Sequence, residues 1–274
     1  MNKSVEILCI GNELLIGKTL NTNAQWLAKQ VTSLGLTTNR ITVVGDNINE
    51  ISCIIQETVH RSPHFVLITG GLGPTFDDKT LEGIAKALGR NVEVNKDALE
   101  MVREKYVTYA AEDRMEEAEL TPARVKMAKL PEQATPLPNP VGTAPAVSIQ
   151  HKNVKIFALP GVPPEMKSIF NTSIAPLMKH AASGVTFFEA SINSTNVMES
   201  KMAPIIDKVM QNNPHVYIKS HPKGTERLPH IEFHFSTTAN DEITARNHVN
   251  KALSELTELI QQNGGTIKSP KTKT

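Results

Sequence analysis

The sequence predicts an α/β domain built on a parallel sheet, followed by a smaller α+β domain. Two observations carry this. Through the first third of the chain, short apolar runs that stop at glycine alternate with apolar residues at helical spacing. Towards the end, the order becomes strand, helix, strand, strand, helix, without that punctuation.

The elements follow in order. Val5 to Ile10 reads as a strand ending at Gly11, and Ala24, Leu27, Val31 and Leu34 then mark a helix that Gly35 terminates. Ile41 to Val44 is a second strand, closed by Gly45-Asp46-Asn47. Asn47 and Glu50 form a capping pair for a helix carrying Ile51, Ile54, Ile55 and Val59. Phe65 to Thr69 is a third strand, with a helix after it to about Leu88. Strands joined through helices are parallel, and ligands gather at their carboxyl ends, where Gly11, Gly45 and the residues after Thr69 fall. From Asn95 to Lys129 the pattern is helical and charged, a solvated face that includes the run 112–117. The proline-rich stretch 130–147 leads to a hairpin of 146–149 and 154–159, and Pro163 or Pro164 opens a helix. The chain loosens around 181–184. Domains are therefore expected at 1–180 and 185–265, with a disordered tail at 266–274.

Composition limits the function. The chain has 274 residues, 29 Lys plus Arg against 28 Asp plus Glu, and a net charge of +1, unlike a basic nucleic-acid binder. The amino-terminal apolar run is too short for a signal peptide or a span, so a soluble cytoplasmic protein without membrane contact is expected. Cys9 and Cys53 read as buried thiols of a reducing compartment. The histidines are scattered, and no structural zinc is expected.

The chemistry concentrates in Thr69-Gly-Gly-Leu-Gly-Pro-Thr-Phe-Asp-Asp78. Gly70, Gly71 and Gly73 leave the backbone bare, and free N–H groups before a helix form an anion site. Asp77 or Asp78 can cap that helix, but two carboxylates exceed what one cap needs. Beside a phosphate they point to a divalent cation. Gly11 to Thr19 looks like a phosphate-binding P-loop but has one residue too many between its glycines, so an ATPase is rejected.

The segments IGNELLIGKTLNTNAQWLA, VVGDN, TGGLGPTFDDKT, NPVGTAPA and LPGVPPEMK occur in the order and spacing of the competence-damage-inducible (CinA) family. Over about residues 5 to 180 the chain resembles that family's amino-terminal domain, which implies the three-layer molybdopterin-binding fold. The later YIKSHPKG segment resembles the family's following, KH-like segment. Family members read Gly-Thr-Glu where this chain has Gly11-Asn12-Glu13. Their further domain, which deamidates nicotinamide mononucleotide, is not expected here.

The resemblance implies metal-dependent hydrolysis of the pyrophosphate in ADP-ribose or a related dinucleotide such as FAD. The alternative is a molybdopterin-binding or adenylylating protein, and a third, weaker reading is RNA binding through the KH-like segment, which lacks a Gly-x-x-Gly loop. The two essential acidic positions fall on Asp46 and Asp78, with Asp77 and Glu82 assisting in holding Mg²⁺, Mn²⁺ or Co²⁺. Gly70, Gly71, Gly73 and Thr75 would cradle a phosphate. Asn139, Gly142 and Thr143 would form a second wall, Gly161 and Glu165 the rim, and Glu13, Asn21 and Asn23 would reach a ribose, although Asn21 and Asn23 equally suit helix capping. Lys219 and Lys223 would add cationic contacts from the second domain or lie in a solvated loop, and Trp26 packs a helix. A homodimer is expected, with a nucleotide or molybdopterin-like small molecule as ligand.

Overall fold

The first strand, β1 (Ser4–Ile10), is buried almost throughout, as is β3 (Phe65–Thr69), so neither face of the sheet between them meets water. That is the signature of a parallel sheet covered by helices on both faces. A computed structural model of the protein describes residues 3–113, 119–182, 184–223 and 229–268. The chain divides into two compact units, residues 1–32 with 36–182, and residues 33–35 with 183–274.

In the first unit β1 is followed by α1 (Asn12–Leu15), α2 (Thr22–Ser33), β2 (Thr37–Val44), α3 (Ile48–His60), β3 and α4 (Thr80–Leu88). Then come β4 (Val92–Val94), α5 (Lys96–Ala111), α6 (Pro122–Lys126), β5 (Lys129–Pro131), β6 (Thr135–Leu137), β7 (Ala146–His151) and β8 (Val154–Leu159). The unit closes with α7 (Pro163–Ile169), a π-helical turn over Phe170–Ile174, and α8 (Ala175–Ala181). The six-stranded sheet has the order β2-β1-β3-β8-β7-β6. Its first four strands are parallel, and β7 and β6 are antiparallel additions.

Local chemistry explains the main boundaries. Asn47 accepts from the N–H groups of Asn49 (2.8 Å) and Glu50 (3.3 Å) and so starts α3. Gly89, in the left-handed conformation at φ 65°, ends α4. Leu8, Ile10, Val66, Ile68, Ile84, Val102 and Ile156 share one core, which the helices after β2 and β3 help to cover. Glu6 is the one acidic residue in β1 and is 4% exposed. Arg61 meets it bidentately, Nε to Oε1 at 2.9 Å and Nη2 to Oε2 at 2.7 Å. Arg61→Met strands that carboxylate, and a loss of about 3 kcal/mol in urea unfolding is expected; an unchanged midpoint would show that the pair contributes nothing.

The second unit runs β9 (Thr186–Thr195), α9 (Glu199–Asn212), β10 (Tyr217–Pro222), β11 (His230–Ala239), α10 (Glu242–Gln262) and β12 (Thr266–Lys268). Its antiparallel sheet has the order β10-β11-β9-β12, the split βαβ arrangement within the expected α+β class. Phe233, Phe235, Met202, Val249 and Leu256 fill its core.

Three expectations need correction, and one stretch holds strands that the sequence left unassigned. The segment 266–268 is not a disordered tail, because it hydrogen-bonds to β9 as an edge strand; 269–274 lie outside the described residues. The helical stretch 95–129 is broken into α5 and α6, with Thr121 capping the second, and residues 114–117 of its charged run 112–117 lie outside the described residues. The proline-rich stretch holds β5 and β6, both at sheet edges, where a missing N–H is tolerated. Cys9 is buried, but Cys53 is exposed on α3, with Sγ 3.7 Å from Glu57 Oε1.

Candidate functional site

Because β2, β1, β3 and β8 are parallel neighbours, the loops leaving their carboxyl ends converge. They enclose a cavity of about 420 Å³. Gly11, Glu13, Asn21 and Asn23 come from the segment after β1 that runs through α1 to the first turn of α2, Asp46 from the end of β2, and Thr69 to Pro74 with Asp77 and Asp78 from the end of β3. Pro160, Gly161, Val162, Pro163 and Glu165 come from the end of β8, and Met127, Thr143 and Ala144 close one side.

The glycines meet a strict geometric demand. Gly70 has φ 108° and Gly71 φ 68°, conformations that side chains rarely adopt. A Cβ on Gly70 would run into the Ile10 carbonyl, and one on Gly71 into the Thr80 hydroxyl. Gly70 N donates to Leu159 O at 3.0 Å, and Thr80 Oγ1 donates back to Gly70 O at 2.8 Å, which pins the turn between β8 and α4. Among the described residues no acceptor meets the N–H groups of Gly71, Leu72 or Gly73. Successive open donors of this kind form an anion-binding nest.

Neither aspartate caps α4, whose N-cap, Lys79, makes no side-chain bond. Instead Asp78 Oδ2 accepts from Thr75 N at 2.9 Å and from Thr75 Oγ1 at 2.6 Å, while Asp77 Oδ1 also lies against that hydroxyl. A hydroxyl has one proton, so one of the two carboxylates is left short of a donor. The Thr75 hydroxyl, with Asp77's own N–H and then Lys126 and Lys79, holds the Asp77 carboxyl below the usual carboxylate range.

Asp46 and Asn12 bracket each other: Asn12 N donates to Asp46 Oδ2 at 2.8 Å, and Asp46 N to Asn12 Oδ1 at 3.4 Å. Asn12 thus holds the Asp46 carboxylate in place. Glu13 folds back over Gly11, leaving no room for a Cβ there. Asn21 accepts from Ala24 N at 3.1 Å and caps α2. Asn23 donates through Nδ2 to Thr69 Oγ1 (3.1 Å) and Gly161 O (2.8 Å), tying the β1, β3 and β8 loops together, while its buried Oδ1 has no partner.

Four of the expected site residues do not line the cavity. Asn139 uses Nδ2 on Ala144 O (2.9 Å) and Glu165 Oε2 (2.7 Å), and Oδ1 on the N–H groups of Gly142 (2.8 Å) and Val141 (3.1 Å). With every bonding position taken, it braces the wall and orients Glu165. Gly142 lies against the Glu165 carboxylate, which a Cβ would strike. Thr75 sits behind the two aspartates, and Glu82 faces a small space on the far side of the loop, with Lys126 and Lys129. Lys223 is also committed, at 2.6 Å from Glu232, and Lys219 pairs across the sheet with His234. Trp26 packs edge-on against Phe170 with ring centroids 5.4 Å apart. Lys126, Asn12 and Thr80 are structurally central to the site, yet no local pattern marks them.

Among the described residues no three His, Cys, Asp or Glu side chains gather into a metal-holding group. Magnesium characteristically takes one or two carboxylates and completes its sphere with water and ligand phosphates. The pair Asp77 and Asp78, short of one donor and next to the open N–H groups, fits that requirement; Glu82 does not contribute.

Residues 6–180 match the family described as a probable molybdopterin binding domain, and the chain belongs to that family. The CinA protein of Thermoplasma acidophilum, a solved structure described as of unknown function, is 38% identical with a TM-score of 0.57 and spans 66% of this chain and 99% of its own. A protein from Pyrobaculum arsenaticum is 45% identical over 260 residues, 94% of this chain and 95% of its own length. One from Sulfolobus acidocaldarius is 41% identical over 267 residues, 97% and 98% of the two chains. No helix among the described residues is long and apolar enough to cross a membrane.

Proposed function

We propose that the cavity binds molybdopterin or a closely similar phosphate-bearing ring compound, with the phosphate on the glycine turn and Mg²⁺ between it and Asp77 and Asp78. The observation that carries this reading is the row of open N–H groups at Gly71, Leu72 and Gly73, beside a carboxylate pair that shares one hydroxyl proton. Membership of the molybdopterin-binding family supports the ring. Leu20, Val162 and Pro163 add apolar surface to the cavity lining, against which a flat ring can lie. Magnesium would supply charge neutralisation. The chain's own residues would bind and orient: Asn23 holds the loops at their spacing, and Asn139 aims Glu165.

The carboxylate pair next to a phosphate site also favours a second reading, hydrolysis of a pyrophosphate bond in ADP-ribose or FAD, with Asp46 placed to orient the attacking water. One panel separates the two. Molybdopterin, ADP-ribose and FAD are each titrated with Mg²⁺, Mn²⁺ and Co²⁺ and assayed for binding and phosphate-bond cleavage. Tight molybdopterin binding without cleavage of either dinucleotide supports the first reading; cleavage supports the second. Binding of none sinks both. The working form is a homodimer, so light scattering should return about twice the 30.0 kDa chain mass, and a mass equal to one chain would refute it.

A further inference from the structure

An ammonium group with no carboxylate partner stands behind the carboxylate loop. Lys126 is the last residue of α6, and its Nζ donates to the carbonyl oxygens of Asp78 at 2.6 Å, Thr75 at 2.7 Å and Gly73 at 3.3 Å. An ammonium has three N–H donors. All three are committed to the main chain of one loop, and none is left for a ligand. Among the described residues it makes no ion pair.

The lysine has a firm base. The next residue, Met127, is 2% exposed, and with Ala128 and Leu130 it belongs to the main core. The gripped segment has little else to hold it. Thr80 N bonds back to Gly71 O at 3.2 Å, and the Lys79 carbonyl takes the Gly83 N–H as α4 begins. Between Gly71 and Lys79 the loop's bonds from residue to residue, apart from those to Lys126, are the ones Thr75 makes with Asp77 and Asp78. Phe76 at its tip is 86% exposed. In a trans peptide N–H and C=O point in opposite directions, so drawing the Thr75 and Asp78 carbonyls onto one cation turns the N–H groups of Phe76 and Lys79 away from it. The space behind the loop, bounded by Lys126, Lys129, Asp78 and Glu82, is only about 30 Å³, room for one or two waters and too small for a nucleotide-sized ligand.

We propose that Lys126 is a positioning residue that fixes the loop 73–78 in the shape in which Asp77 and Asp78 meet the ligand's phosphate. The proposal rests on the reading of that loop as the phosphate end of the site. It does not require Lys126 to touch the ligand, which separates it from the usual role of lysine as a phosphate-binding charge.

The test uses the full chain with Lys126→Met, which keeps the stem and removes the donors, and Lys126→Gln, which keeps two N–H donors, as the milder variant if the first folds poorly. Amide exchange and magnesium-dependent binding of inorganic pyrophosphate are measured side by side. In Lys126→Met, the two hydrogen-bonded loop amides, Thr75 and Asp78, are expected to exchange at least tenfold faster, with those around Ile84 in α4 unchanged, and pyrophosphate affinity to fall at least tenfold. Lys126→Gln should lie between. A folded Lys126→Met protein with wild-type exchange at Thr75 and Asp78 overturns the proposal, as does faster exchange with undiminished pyrophosphate binding. If the unaltered protein binds no pyrophosphate, the phosphate reading fails, while the exchange data still decide whether Lys126 fixes the loop.

Discussion

Gly70→Ala is expected to cost about 3 kcal/mol of stability and to abolish ligand binding. The new methyl group meets the Ile10 carbonyl, a backbone atom at the end of β1, an interior strand paired on both sides, that cannot swing aside. Alanine at φ 108° adds conformational strain of its own. For a unit of this size that corresponds to a fall of roughly 10 °C in melting temperature. Scanning calorimetry of the variant, with and without ligand, checks both parts. An unchanged transition would mean that the turn opens easily, and the rigid-nest account would have to be given up.

Asp78→Asn separates charge from shape. Asparagine can still accept from Thr75 N, so the melting temperature should move by no more than about 2 °C. The loss of charge is expected to lower magnesium-dependent affinity for molybdopterin on the order of 100-fold. Titration calorimetry at matched magnesium concentrations measures it. Equal affinity in variant and parent would remove Asp78 from the site, and a large drop in stability with intact affinity would make it a purely structural residue. Asp77 adds a pH signature. Its folded-state pKa is depressed, so whatever it contributes is present above the ordinary carboxylate range and disappears only as the pH falls through the lower, folded value. Binding through Asp77 should therefore survive to a more acidic pH than two unassisted carboxylates would allow.

How much of this was legible beforehand depended on the range of the interactions. The strands β1, β3 and β8 announce themselves because each is dominated by apolar residues, broken only by Glu6 in β1 and Lys155 in β8, as strands covered on both faces require. The glycine turn was legible for the same local reason: three glycines directly after a buried strand have few other uses. Asn47 and Pro163 were read correctly from their own neighbours. Asn139 was misassigned because the partner that takes one of its donors, Glu165, lies 26 residues away. Lys126 was hidden more deeply, since its three acceptors lie 48 to 53 residues upstream and its own surroundings look like any charged helix. Cys53 was placed inside because its apolar neighbours were counted without asking which face of α3 it occupies. β12 was read as tail because three residues carry too little pattern to be seen without the strand they join.

The position of β8 beside β3 orders events in time. The two strands are hydrogen-bonded neighbours, yet Thr69 and Val154 are separated by the whole stretch that forms β4 to β7. A chain emerging from the ribosome therefore has its glycine turn, Asp46 and both loop aspartates in solution long before the wall that Gly161 and Glu165 complete. Until then Gly70 N lacks the Leu159 carbonyl that pins it, and Asn23 lacks the Gly161 carbonyl. A nascent chain shorter than this has no enclosed cavity, and the cavity closes in one step as the last parallel strand docks.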